Sequence, residues 1–328
     1  MASLPAIDWD AARNTGLATL SPGAALTPAE ASAEVDALRR AADVAEGHIR
    51  ETTGLQTAAD GGTFVIDRAS WLRANLTTYE GLWRAMGATP AESVLDRARA
   101  TVIGAEMGAM LAAVGGRILG QFDPFGHPQR LLLVAPNVAG AQRHMGVDPW
   151  DFKLWVCLHE QTHRFQFGAA PWLRDYLIAQ MSVVAGEFGE GFQLSPARSE
   201  DGIKRALVER VLTPEQRVAF DAATGAMSLL EGHADVMMDR VGTSVLPTLP
   251  RLREALEKRR SDPWQRFLGR LLGMELKMAQ YREGAKFVRA VIDTVGLESF
   301  NRVFSAAEFL PTRAEIADPS AWVARVHP

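Results

Sequence analysis

Apolar residues run through most of the chain in segments too long for strands, and short polar clusters carrying proline separate them. These clusters predict helix starts. TPAE at 27–30, TPAE at 89–92 and TPEQ at 213–216 each place threonine before proline, with Glu or Gln three residues after the threonine. That is a capping box with proline in the first helical position, where its missing N–H is not needed. DPWD at 148–151 and SDPW at 261–264 are variants of the signal, and Asp67 can cap a further segment. The predicted helices span 28–53, 68–86, 90–116, 149–167, 171–187, 199–211, 214–240 and 263–294.

Strand signals are few. GGRILGQF (115–122) and QRLLLVAPNV (129–138) flank the turn-rich DPFGHP and predict a hairpin or two strands of a small sheet, and TFVIDR (63–68) is a weaker candidate. The run RLLLVA (130–135) reads either as a core strand or as an edge strand along which a peptide lies extended. The most apolar stretch, 101–116, is too short to span a bilayer and contains Glu106. It predicts a buried helix in which Gly104 and Gly108 permit close packing. Residues 186–199 and 243–251 read as loops, and the first 27 residues as a wrapping arm. The fold class expected is mainly α (α+β), with a small β-sheet element before the helix at 149–167. It forms a single domain, 1–328, softly divided into an N-terminal helical and small-sheet part, 1–147, and a helical part, 148–328.

Composition narrows the partners. Across 328 residues, 47% are hydrophobic and 23% charged, the net charge is −4, and no basic run stands out, so no nucleic-acid partner is expected. The single cysteine, Cys157, excludes an intrachain disulfide and is read as a small core residue. The N-terminal residues have neither a basic nor an apolar leader region. A cytoplasmic protein without a membrane partner is the expectation.

The chemistry lies in LWVCLHEQTHRFQF, 154–167. His159 and His163 are four residues apart, so a helix puts both imidazoles on one face, as a zinc ion requires. Glu160 follows the first histidine, where a carboxylate can act as general base toward zinc-activated water. A third ligand is needed, and SLLEGHADVMMD (228–239) supplies one. Glu231 and His233 lie about 200° apart around a helix and cannot easily serve one metal. Glu231 is taken as the ligand, because Asp235 one turn later is then placed beside a ligand histidine, and an acid among Leu229, Leu230, Val236, Met237 and Met238 needs a partner. Asp235, one turn on, is expected to receive an N–H from a ligand histidine. Tyr281 and His233 are candidate donors to a developing oxyanion, with Lys277 on the same face as Tyr281. Trp155 and Trp172 are expected in the core around the metal helix, and the remaining histidines have no ligand-like spacing.

His159-Glu160-Gln161-Thr162-His163 followed by Glu231-Gly232-His233-Ala234-Asp235 resembles the gluzincin branch of zinc metallopeptidases. The separation of 68 residues from His163 to Glu231 implies an inserted helical segment. VIDRASWLRAN, LHEQTHRFQFGAAPWL, LLEGHADVMMD, KMAQYREGAKFV and EFLPTRAEIADPSAW resemble the actinobacterial zincin-like type 2 metallopeptidase family across nearly the whole chain. That resemblance implies a zincin-like fold, a Zn2+ cofactor and a hydrolase; some members are labelled as associated with deazaflavin coenzyme biosynthesis. The function expected is a zinc metallopeptidase acting on a peptide or small amide. The alternatives are a zinc hydrolase of a non-peptide amide or ester, and a non-catalytic zincin scaffold that binds a partner.

Overall fold

The structure, a computed structural model, describes residues 4–56, 61–185, 212–260 and 274–328, with the backbone alone for 257–260 and 274–282. The helix expected at 199–211, the loop at 186–199 and the start signal at 261–264 lie outside the described residues. The chain is mainly α-helical with one small three-stranded sheet. In chain order the elements are α1 (Trp9–Thr19), α2 (Pro28–Thr53), β1 (Thr63–Ile66), α3 (Arg68–Ala85), α4 (Val94–Gly115), β2 (Gly120–Asp123) and β3 (Arg130–Val134). They continue with α5 (Ala135–Met145), α6 (Pro149–Ala169), α7 (Leu173–Ala185), α8 (Pro214–Val241), α9 (Leu249–Arg260) and α10 (Met274–Val295). Short helices α11 (Leu297–Phe300), α12 (Arg313–Ala317) and α13 (Pro319–Val326) close the chain. Two compact units divide it, one from 1–44, 60–160 and 185–195, the other from 45–59, 161–184 and 196–328. Both α2 and α6 contribute to each.

Most of the helix starts follow the capping chemistry. Thr27 and Glu30 exchange hydrogen bonds at 2.8 and 3.3 Å, Thr213 and Gln216 at 3.0 and 3.2 Å, and Asp67 accepts from the Ser70 amide at 2.7 Å. Asp148 accepts from the Trp150 and Asp151 amides, both at 2.9 Å, and so starts α6. The second TPAE does not start a helix. Ser93 and Asp96 form a competing capping box, and α4 begins at Val94.

In the first unit the strand order is β1-β3-β2, with β1 parallel and β2 antiparallel to β3. RLLLV is therefore the central strand, and the edge-strand reading of 130–135 is corrected. Leu131, Leu132, Leu133 and Val134 are all buried because neighbours cover the strand on both sides. The apolar run expected to continue to 138 instead turns helical at Ala135, with Pro136 in the first turn of α5. Trp71, Leu72 and Leu76 of α3 pack with Leu111, Ala112, Leu132 and Val134 in one core. The N-terminal arm contains a helix, α1, which the sequence reading missed. It meets α4 where a Cβ at Gly104 would lie 2.1 Å from the Asp8 carbonyl oxygen, and one at Gly108 2.0 Å from that of Ala12. The close packing expected of these glycines is present, but α4 is not buried all round: Val102 and Glu106 are exposed.

In the second unit α8 crosses α10 backbone to backbone. A Cβ at Gly232 would stand 2.2 Å from the Gly284 carbonyl carbon, and one at Gly284 1.9 Å from the Ser228 oxygen. Only glycine lets helices approach so closely at these points. Phe287, Phe300, Phe304 and Trp322 form an aromatic core, with Trp322 edge-on to Phe287 at 5.8 Å between centroids. Among the described residues no helix is long and apolar enough to cross a membrane.

Candidate metal centre

Helix α6 carries His159, Glu160 and His163, and α8 carries Glu231. One potential ligand atom from each of His159, His163 and Glu231 lies within 4.8 Å of the others, and all three residues are half-buried. His163 Nε2 and Glu231 Oε1 are 3.8 Å apart. Ligand atoms of a tetrahedral zinc site stand about 3.3 Å apart, given metal–ligand distances near 2.0 Å. Two imidazole nitrogens and one carboxylate oxygen at these separations fit zinc with a small inward movement.

His159 stacks on Trp155 one turn before it, with 6.3 Å between ring centroids and 16° between planes. Glu160 is buried, and its Oε2 accepts the Phe122 amide hydrogen at 2.8 Å. Leu131, the residue paired with Phe122, donates its own amide toward β1, so Phe122 N–H points off the outer edge of β2. That edge is held in place by Gln121, whose Oε1 accepts from Trp71 Nε1 at 2.7 Å and from Asn75 Nδ2 at 3.2 Å. At Gly120 a Cβ would lie 2.6 Å from Glu160 Cγ, so this position leaves room for the carboxylate.

Asp123 ends the strand as a buried acid, accepting from Thr78 Oγ1 at 2.8 Å and from Arg130 Nε at 3.2 Å. It fastens the β2–β3 turn to α3.

Asp235 is not where the sequence reading put it. Its carboxylate accepts from Arg253 Nη1 at 2.6 Å and lies 3.6 Å from Arg289, with Asp239 in the same ion-pair network. One helical turn points Asp235 toward α9 and α10, whose arginines neutralise it. The residue on His163 is Gln166, whose Oε1 lies 2.9 Å from His163 Nδ1. The signal was present as a third polar residue on the helix face of His159 and His163, at a spacing of three from the latter.

His233 is fully buried, stacked on Phe300 at 5.6 Å and edge-on to Phe304 at 5.3 Å. Burial, and then the charge of His163, push its pKa down to about 3, so the ring is neutral. A ring enclosed in this way does not meet a substrate, which removes the expected oxyanion role. Tyr281 lies on α10, and its side chain, like that of Lys277, is outside the described residues. Trp172 donates to the Phe304 carbonyl at 3.0 Å and is half-buried, as is Trp155.

Against known proteins, residues 7–323 match the model of a family described as zincin-like metallopeptidase. The chain is also similar to the crystal structure of a Chloroflexus aurantiacus protein provisionally described as a hydrolase with a novel fold. That similarity has a TM-score of 0.70 and 29% identity, over 97% of this chain and 98% of that one. No curated protein sequence matches it. With a match spanning nearly its full length, this chain belongs to the zincin-like metallopeptidase family.

Proposed function

We propose that the protein is a zinc-dependent hydrolase that cleaves an amide bond, with a peptide as its substrate. The observation that carries this reading is the convergence of His159, His163 and Glu231 within 4.8 Å, with Glu160 next to the first ligand. His159 and His163 would hold the ion from α6 and Glu231 from α8. Zinc bound there supplies Lewis acidity that activates water and polarises a carbonyl. Glu160 takes the proton of the attacking water and returns it to the leaving nitrogen. Its bond to the Phe122 amide keeps the carboxylate oriented for both transfers. A structural zinc site has no use for such a base, which favours catalysis over a metal-stabilised scaffold.

The test is a cleavage screen of a peptide library beside a panel of small amides, on protein of known zinc content. Peptide cleavage that disappears in Glu160→Gln with zinc retained is the expected result. Absence of zinc from protein purified without chelator, and failure to take it up, would overturn the assignment.

A further inference from the structure

We propose that Gln166 is a positioning residue that fixes the metal-binding tautomer of His163, and that the buried His233 completes the hydrogen-bond set holding Gln166 in place. The inference rests on the reading of His163 as a metal ligand.

Gln166 is fully buried on α6, three residues after His163. Its Nε2 is 2.8 Å from the Leu230 carbonyl oxygen and 2.9 Å from His233 Nδ1, and its Oε1 is 2.9 Å from His163 Nδ1. A backbone carbonyl only accepts, so the atom facing Leu230 must be the amide nitrogen. This settles the direction of the whole side chain. The amide oxygen then faces His163, and an oxygen only accepts, so His163 carries its hydrogen on Nδ1. Its Nε2, 3.8 Å from Glu231 Oε1, is left with the lone pair a metal requires.

The second amide hydrogen of Gln166 goes to His233 Nδ1, which must accept. The neutral His233 ring therefore holds its hydrogen on Nε2, an atom with no hydrogen-bond partner among the described residues. Leu230 and Glu231 are consecutive in α8, so the carbonyl that orients Gln166 belongs to the segment carrying the third ligand.

The first measurement needs no metal. Long-range proton–nitrogen correlation on the metal-free protein, at a pH above the histidine range, should show His163 in the Nδ1–H form and His233 in the Nε2–H form. His163 in the Nε2–H form would overturn the proposal, whatever the zinc result.

The second measurement is zinc affinity by competition with a chelator. Gln166→Leu should weaken binding by roughly 10- to 100-fold, the usual effect of removing a partner that orients a ligand histidine. Gln166→Glu should weaken binding as well, because its second oxygen would replace the amide nitrogen that lies 2.8 Å from the Leu230 carbonyl oxygen, where only a donor fits. Wild-type affinity in Gln166→Leu or in Gln166→Glu would overturn the proposal. If Gln166→Leu does not fold, the wild-type tautomer and the Gln166→Glu affinity still decide. Failure of the wild-type protein to bind zinc would sink the hydrolase reading and leave the tautomers as the deciding result.

Discussion

Glu160 Oε2 accepts the Phe122 amide hydrogen at 2.8 Å, and two residues earlier Gly120 leaves the space that Glu160 Cγ fills. A strand edge thus holds a side chain that would otherwise turn freely on its two methylenes. Gly120→Ala would put a Cβ 2.6 Å from Glu160 Cγ and force the carboxylate aside. Turnover of a substrate from the cleavage screen should fall about 10-fold or more, and Glu160→Gln should lose on the order of 100-fold to 10,000-fold. Metal analysis should find zinc unchanged in both. Full turnover in Gly120→Ala would remove that glycine from the account of the base.

Zinc binding to the folded state alone should raise thermal stability with concentration. Free zinc at about 100 times its dissociation constant contributes about 2.7 kcal/mol. Thermal unfolding with added zinc and with chelator measures the difference. In Glu231→Ala and His159→Ala the two curves should nearly coincide. A zinc-dependent shift of wild-type size in Glu231→Ala would show that the third ligand lies elsewhere.

The C-terminal helices carry an ion pair with a definite pH signature. Arg325 donates to Glu315 at 2.6 Å through Nε and at 3.0 Å through Nη2, and Glu315 also accepts the Thr312 amide at 2.8 Å. Burial by itself raises the Glu315 pKa, but the hydrogen bonds from Arg325 and Thr312 outweigh it and leave the carboxyl below its ordinary 4.5. The folded state therefore binds this proton less readily than the unfolded one. The resulting stability is present above pH 4.5 and is lost as pH falls below it toward the depressed folded value. Glu315→Gln should cost about 1–2 kcal/mol in denaturant unfolding at neutral pH, a modest value because Arg325 is 39% exposed. The gap between variant and wild type should close on acidification. A gap independent of pH would assign the cost to packing.

Cys157 should be inert in the folded protein. It is fully buried, and burial first, then the charge of Glu160, push its thiol well above the ordinary range. A thiol reagent at neutral pH should modify it only at the rate of unfolding, and quickly in denaturant. Rapid modification under native conditions would contradict the burial.

The grouping of His159, His163 and Glu231 was legible because its spacing is helical. His159, Glu160, His163 and Glu231 follow from two short motifs, and the caps at Thr27, Asp67, Asp148 and Thr213 place most of the long helices. What escaped depended on partners far away in sequence. Asp235 sits at helical spacing from Glu231, yet its direction is decided by Arg253 and Arg289, 18 and 54 residues further on. The periodicity of RLLLV cannot distinguish a central from an edge strand, because that depends on β1 and β2 taking its two sides. Helix α1 is short, its Asp8 cap lacks the Thr-Pro signature that opens α2 and α8, and it packs against Gly104 and Gly108. Gln166 stood in LWVCLHEQTHRFQF, but its use depends on a carbonyl of α8.

Where Gly232 passes Gly284 the helices touch through main chain alone, so no rotamer can relax there to change their spacing. A metal centre is often assembled against the freedom of the segments that carry its ligands. Here the segment bearing Glu231 has its rotation settled one residue away, before any ion arrives. The Glu231 carboxylate is therefore offered from a backbone whose packing on α10 is already fixed. The placing of that carboxylate is thus inherited from two residues that have no side chain of their own.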